Sequence, residues 1–566
     1  MDLKTGACMK KITRRKFCAE VVSVGVIAEL ATLKSELDLA DFFFISCDDL
    51  SESIDDLSVY TLEAYEKDIE SSGLDRVWKK ICKYILVNGE VSDGLIQISN
   101  FGELYERGLA IQDKVQKKES GQYFTPEDVS CVMSGWFDRL KGENVCDVAC
   151  GVGNLILSYF SLIGENRTKE ILNQGRLYLY DYDSVALGVC ATSIAVRYGV
   201  EYLKKIHICR GDFLATDIHL PKNSKAISNP PYAAISTIPE TWEQTSVQLG
   251  TKELYSAFME KIMKETEASV IITPYSFIGG AKFFPLRYEM NRHNGFVVSF
   301  DNVPGTIFCG RKHGIFNTNT GNSVRAAITV VENNEGINGF RFSPLIRFKG
   351  AERKQLLKCG VLEDFIGQRY QIVNRNNTMY AKCDRRLDAV YSAWVARSKM
   401  PLGMYLSGMG KFEMYVPNTC RYFTTASTRK LSRKGQMVLN FSDEDAFNYA
   451  FCMINSSFAY WHWRLFDGGI TYSIGLLHKM PMFYEILSDS DKEFFNAMAH
   501  EMIDRAEEFI VTKSNVGVQE NVKYPREYRD KINRRLLDIL GLTVDETIFD
   551  IVHSNMALEV NLCEQK

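Results

Sequence analysis

Asn144-Val145-Cys146-Asp147-Val148-Ala149-Cys150-Gly151-Val152-Gly153-Asn154 reads as a short buried strand, a glycine-bearing turn and a helix start, because an apolar run over 155–162 follows directly. Glycines at a strand-to-helix turn let a ligand approach the backbone closely, as in nucleotide-binding α/β folds. The third glycine of a dinucleotide fingerprint is absent. Asp147, inside the strand end, would also repel a pyrophosphate. The turn therefore predicts a ligand without phosphates, although G-x-G by itself specifies little.

Two further strand-and-turn units follow. A strand over 176–180 ends in Asp181-Tyr182-Asp183 and leads into a helix over 184–198. A strand over 205–209 leads into Gly211-Asp212-Phe213-Leu214. Strands alternating with helices make an α/β fold with a parallel sheet. An acid at the carboxyl end of the second strand is where such sheets hold a ribose diol, so Asp181, or Asp183 beside it, fits that task. Asp212 is suited to accept a hydrogen bond from an adenine amine, with Phe213 against the ring.

Downstream, the run over 225–228 ends in Asn229-Pro230-Pro231-Tyr232. Two prolines donate no backbone hydrogen bonds and have fixed φ, so they end a strand and hold a rigid loop. A plain turn explains the prolines but not their neighbours. The Asn229 side-chain oxygen and the Pro230 carbonyl are acceptors, and Tyr232 brings an aromatic face. Acceptors aimed at both N–H bonds of an exocyclic amine would localise its lone pair and stabilise the positive charge developing on nitrogen.

Before the first strand, Gly121-Gln122-Tyr123-Phe124-Thr125-Pro126 opens a helix expected to run to about residue 140, with Thr125 as its N-cap and Pro126 at its first position. The first 115 residues read as helical, with no chemical motif, and 114–120 is a polar linker. The basic Thr13-Arg14-Arg15-Lys16 before an apolar run over 21–28 is read as part of an amphipathic helix instead of an export signal, because Glu20 and Glu29 bracket it and no cleavage site follows. The chain is expected to be cytoplasmic and to use neither membrane nor metal. Its fifteen cysteines are scattered without C-x-x-C pairs and its eight histidines form no ligand-spaced cluster, which suits a reducing compartment. A formal charge of -4 excludes a uniformly basic nucleic-acid binder but not a local basic groove.

Taken in order, G-Q-Y-F-T-P, D-V-A-C-G-V-G, an acidic strand end, G-D-F-L and N-P-P-Y resemble the S-adenosylmethionine-dependent DNA adenine-N6 methyltransferases of the gamma arrangement, the modification enzymes of type I and type II restriction-modification systems. The resemblance covers about 116–335 and implies a doubly wound, seven-stranded methyltransferase sheet. A helical region over 1–115 would precede it. An α+β target-recognition region over 336–485 and a helical region over 486–566 would follow.

By that resemblance Tyr123 and Thr125 close over the methionine end of the cofactor, and Asp147, Ala149, Cys150 and Gly151 line its methionine and sulfonium side. Asp181 holds the ribose, Asp212 and Phe213 hold the adenine, and Asn229, Pro230, Pro231 and Tyr232 form the catalytic loop. Val148 departs from the family's usual proline. Phe308 and Phe316 both qualify as a second aromatic against an extruded base. The implied reaction is methyl transfer from S-adenosylmethionine to adenine N6 of double-stranded DNA after base flipping.

Beyond the catalytic segment, basic residues over 421–434 suit phosphate contact or a solvated face, and Gly310-Arg311-Lys312-His313-Gly314 is open to the same two readings. The aromatic run over 455–463 reads as a packed helix. Cytosine-N4 methylation, usually led by serine where Asn229 stands, and glutamine methylation of a protein are the competing activities; a non-catalytic DNA-recognition subunit is the competing class. A separate restriction endonuclease or specificity subunit stays open as a partner.

Overall fold

The computed structural model describes residues 57–88, 94–112, 125–308, 324–513 and 519–558. The basic stretch 13–16 with the apolar run 21–28, Tyr123, the loop 310–314 and Phe316 lie outside them. Two compact units emerge. The first comprises 1–275, 285–295 and 306–339; the second comprises 276–284, 296–305 and 340–566.

In the first unit, helices α1 (Leu62–Ser72), α2 (Leu74–Asn88) and α3 (Phe101–Gln112) precede the sheet. They close on Trp78, which is fully buried against Tyr65, Phe101 and Tyr105. Helix α4 (Glu127–Asp138) follows, and its N-cap is Pro126. Thr125 is thus one residue outside the cap expected for it, and its hydroxyl has another partner.

The chain then alternates β1 (Asn144–Val148), α5 (Asn154–Asn173), β2 (Leu177–Asp181), α6 (Ser184–Tyr198), β3 (His207–Arg210), β4 (Ser224–Ser228), α7 (Leu254–Glu265) and β5 (Ala268–Pro274). Strand order in this unit is β3-β2-β1-β4-β5 followed by Ala326–Val331, with the first five parallel and the last antiparallel to β5. Every residue of β4 is buried, as a central parallel strand covered on both faces must be. The order reverses between β1 and β4. Right-handed crossovers then put the helices of the two halves on opposite faces, the doubly wound arrangement that the resemblance implied, with a crevice at the switch point.

Inside β4, Lys225 is buried. Its Nζ donates to the Phe137 carbonyl at 2.9 Å, closing the end of α4, and lies over the rings of Phe137 and Tyr159. Burial pulls its pKa down to about 8.

The second unit is built on a core running from Ala381 to Phe549. The helix Ser457–Phe466 carries the aromatic run, and its residues through Leu465 are buried, so these rings pack instead of facing solvent. The amphipathic helix Arg526–Ile539 buries Tyr528, Ile532, Leu536 and Leu537 in the same core. Asp301 Oδ2 accepts from Arg347 Nε at 3.1 Å and from Arg464 Nη1 at 2.8 Å, and all three side chains are nearly inaccessible. In the basic stretch 421–434, Arg429 pairs with Glu507 and Glu520, and Arg433 bonds Asn521 and Thr419, so both are tied into this unit. Among the described residues no helix is long and apolar enough to cross a membrane.

Candidate active site

The carboxyl ends of β1, β2, β3 and β4 open onto one cavity of about 300 Å³. Its wall includes Thr125, Ala149, Cys150, Gly151, Asp181, Asp212, Phe213, Asn229 and Pro231, and also Asp183. Local backbone makes this approach work. Ala149 (φ 58), Gly151 (φ 53) and Gly153 (φ 90) all have left-handed conformations, folding the chain after β1 tightly around the strand end. A Cβ on Gly153 would come within 2.6 Å of Cys190 Sγ, so the turn sits directly on α6.

The acids at the strand ends are wired into this turn. Asp181 Oδ2 accepts from Gly151 N at 2.7 Å and Oδ1 from Asp183 N at 2.9 Å. Burial outweighs these bonds and lifts its pKa to about 6. Asp183 caps α6, its Oδ1 accepting from Val185 N and Ala186 N, while Oδ2 accepts from the Tyr105 hydroxyl at 2.5 Å. Asp183 is thus also held by a side chain from α3, whereas the donors to Asp181 are backbone groups. Asp212 accepts from Leu214 N on Oδ1 at 3.1 Å and from Trp242 Nε1 on Oδ2 at 2.6 Å.

Asp147 stands behind the wall, not on it. It is fully buried, its Oδ2 accepts from Ile156 N in the first turn of α5 at 3.1 Å, and Oδ1 has no partner among the described residues. Desolvation pushes its carboxyl up to about 8.

At the end of β4, Asn229 donates from Nδ2 to Thr125 Oγ1 at 3.0 Å and accepts on Oδ1 from the Tyr232 hydroxyl at 2.8 Å. Pro230 is buried. The Tyr232 ring lies edge-on to Tyr255 and Phe308, with centroids 6.3 and 6.0 Å away, so Phe308 is, with Tyr255, a described aromatic beside the N-P-P-Y loop. Phe213 packs against Phe258 at 5.0 Å.

The remaining wall was not legible in the motifs. Tyr105 comes from α3, Trp242 from the segment after the N-P-P-Y loop, and Leu254 and Phe258 from α7. None has a diagnostic spacing. Gly102 was a faint signal: a Cβ there would fall within 2.6 Å of Asn154 Nδ2, so a side chain at 102 would have to move the Asn154 amide at the β1 turn. Among the described lining residues there are three aspartates and no lysine, arginine or histidine. That charge pattern disfavours a phosphate-bearing ligand and suits a cationic one with hydroxyl and amine donors.

Residues 97–282 match the model of the family described as N-6 DNA Methylase. The chain is similar to the type II methyltransferase M.PstI of Providencia stuartii, at 28% identity over 31% of this chain and 38% of that protein. It is 29% identical to the type II methyltransferase M.BsuBI of Bacillus subtilis over 31% of this chain and 37% of that one. The type I restriction enzyme MpnII methylase subunit of Mycoplasma pneumoniae is 26% identical over 24% of this chain and 26% of its own. The match spans less than two-fifths of each of these relatives.

Proposed function

We propose that this chain transfers a methyl group from S-adenosylmethionine to the N6 amine of adenine in double-stranded DNA, as the modification enzyme of a restriction-modification system. One observation carries the reading. Asn229 shares a single acid-lined cavity with Asp181, Asp212 and the Ala149–Gly151 turn, so an amine-gripping amide stands beside a site suited to a cationic adenosine derivative. The residues present fit that cofactor: carboxylates for a ribose diol and an adenine amine, a tight backbone turn, and no cation to oppose a sulfonium.

When bound, S-adenosylmethionine supplies a methyl group activated by its sulfonium charge. The chain's own residues then have three tasks. Asp181 orients the ribose, and Asp212 with Phe213 the adenine, fixing the cofactor end to end. Thr125 and Tyr232 fix the Asn229 amide through its two ends. The Asn229 oxygen and the Pro230 carbonyl accept from the two N–H bonds of the target amine, whose nucleophilicity rises as its lone pair localises. A duplex adenine cannot reach such a site while stacked, so it must be flipped out, at a cost of a few kcal/mol that stacking on Tyr232 and Phe308 offsets. Residues 336–485 would read the target sequence, with a nuclease or specificity subunit acting alongside.

The test is direct. Purified chain, duplex DNA of mixed sequence and cofactor should yield N6-methyladenine, detected by mass spectrometry of digested nucleosides. N4-methylcytosine as the product, or a methylated protein with unmodified DNA, would replace this reading with one of its competitors.

A further inference from the structure

The segment after the N-P-P-Y loop is pinned at both ends. Near its start, Ile235 N donates to the Lys252 carbonyl and Leu254 N to the Ala233 carbonyl, both at 2.9 Å, with Ala234 and Glu253 bridged antiparallel. Near its end, Thr216 N donates to the Thr241 carbonyl at 2.9 Å, and Ala215 and Trp242 are bridged antiparallel. Residues 233–242 therefore form a strap from the Asn229 loop to the residues just after Asp212 and Phe213. At its far end stands Trp242, 8% exposed, on the cavity wall and donating to Asp212 at 2.6 Å.

We propose that Trp242 is a cofactor-positioning residue: its indole N–H sets the Asp212 carboxylate for the adenine amine, and the strap ties that end of the cavity to the catalytic asparagine. The proposal rests on the cofactor reading above. Indole is a donor only, so it can hold the carboxylate in no way except by donating to an oxygen. The bond is short for an N–H donor, as bonds to a charged acceptor are. Leu214 N holds the other oxygen, so the two donors together fix the plane of the carboxylate. Each oxygen keeps acceptor capacity, and the adenine amine is met by a group that does not have to be reoriented.

The experiment uses the full chain with S-adenosylhomocysteine as the binding probe and S-adenosylmethionine plus DNA for turnover. Trp242→Phe keeps a ring and removes the donor; it should raise the Kd for the probe and the KM for the cofactor about tenfold, a larger change than in kcat. Trp242 is the one tryptophan among the described lining residues, so wild-type fluorescence should change on probe binding and Trp242→Phe should lose that change. Combined with Asp212→Asn, Trp242→Phe should add little further loss, because both act through one carboxylate. An unaltered melting temperature for Trp242→Phe separates this from misfolding, which Trp242→Ala could cause.

Equal Kd for wild type and Trp242→Phe, or full additivity with Asp212→Asn, overturns the inference while leaving the cofactor reading intact. A wild-type chain that binds neither the probe nor S-adenosylmethionine overturns both.

Discussion

The amide nitrogen of Asn229 donates to Oγ1 of Thr125 at 3.0 Å, joining the residue that follows β4 to the one before the N-cap of α4, far away in sequence. That bond settles which way the amide points, because Nδ2 is the end that is tethered. Thr125→Ala removes the tether together with one buried methyl. Loss of one such bond is worth about 0.5–1.5 kcal/mol, so kcat should fall about 2–10-fold, with Thr125→Ser restoring it. Steady-state methylation assays at saturating cofactor read this out; full activity in the alanine variant would remove Thr125 from the site.

Asn229 and Tyr232 separate differently. Asn229→Ala removes the acceptor itself and should lower kcat by about 10²–10³-fold, as loss of one oriented transition-state partner does elsewhere. Tyr232→Phe keeps the ring but loses the hydroxyl that Asn229 Oδ1 accepts from at 2.8 Å, and should cost no more than about tenfold. Single-turnover rates of the two variants should therefore differ widely.

Lys225 and Asp147 give opposite pH signatures. The folded pKa of Lys225 is pulled from 10.5 down to about 8 by burial, so the unfolded chain binds more protons between those values, and stability from this group rises as pH climbs from 8 to 10.5. The change is at most about 3 kcal/mol. Lys225→Met should flatten it in denaturant melts across that window. Asp147 is pushed from 3.8 up to about 8, so its contribution is greatest at acid pH and is lost as pH rises through that range. Asp147→Asn keeps an acceptor for Ile156 N and should flatten that slope. A slope unchanged in either variant would mean the group is not buried as described.

Asp301 holds Arg347 and Arg464 in the second unit by one oxygen. Asp301→Ala leaves two buried guanidinium groups without their carboxylate and should cost about 3–5 kcal/mol. Chemical denaturation followed through the tryptophans of that unit should show it; a loss under about 1 kcal/mol would mean that water reaches the pair.

The α/β sheet was legible because its signals are local. The strand ends at Val148, Asp181 and Ser228 follow from apolar runs that stop at an acid, a glycine turn or paired prolines. Motif residues on those ends reach one cavity because a parallel sheet delivers all its carboxyl ends to one edge. Thr125 was misplaced by one residue because a Thr-Pro pair is a good helix start whichever residue caps it. Asp147 shows a different limit: a pattern places an acid at a strand end but cannot say whether its side chain points into the crevice or back under the next helix. Tyr105 and Trp242 were invisible for a third reason. Each reaches the cavity from a segment whose own sequence carries no chemical motif, and tertiary packing alone delivers it.

The contact between Gly153 and Cys190 restricts how the pocket can be remodelled. A side chain at 153 would have to displace Cys190 on α6, so substitution of that glycine is a poor way to reshape the turn. Leu254 and Phe258 line the cavity from α7, so trimming either opens volume without touching the backbone turn, which makes that helix the place to begin if the cavity is to be widened.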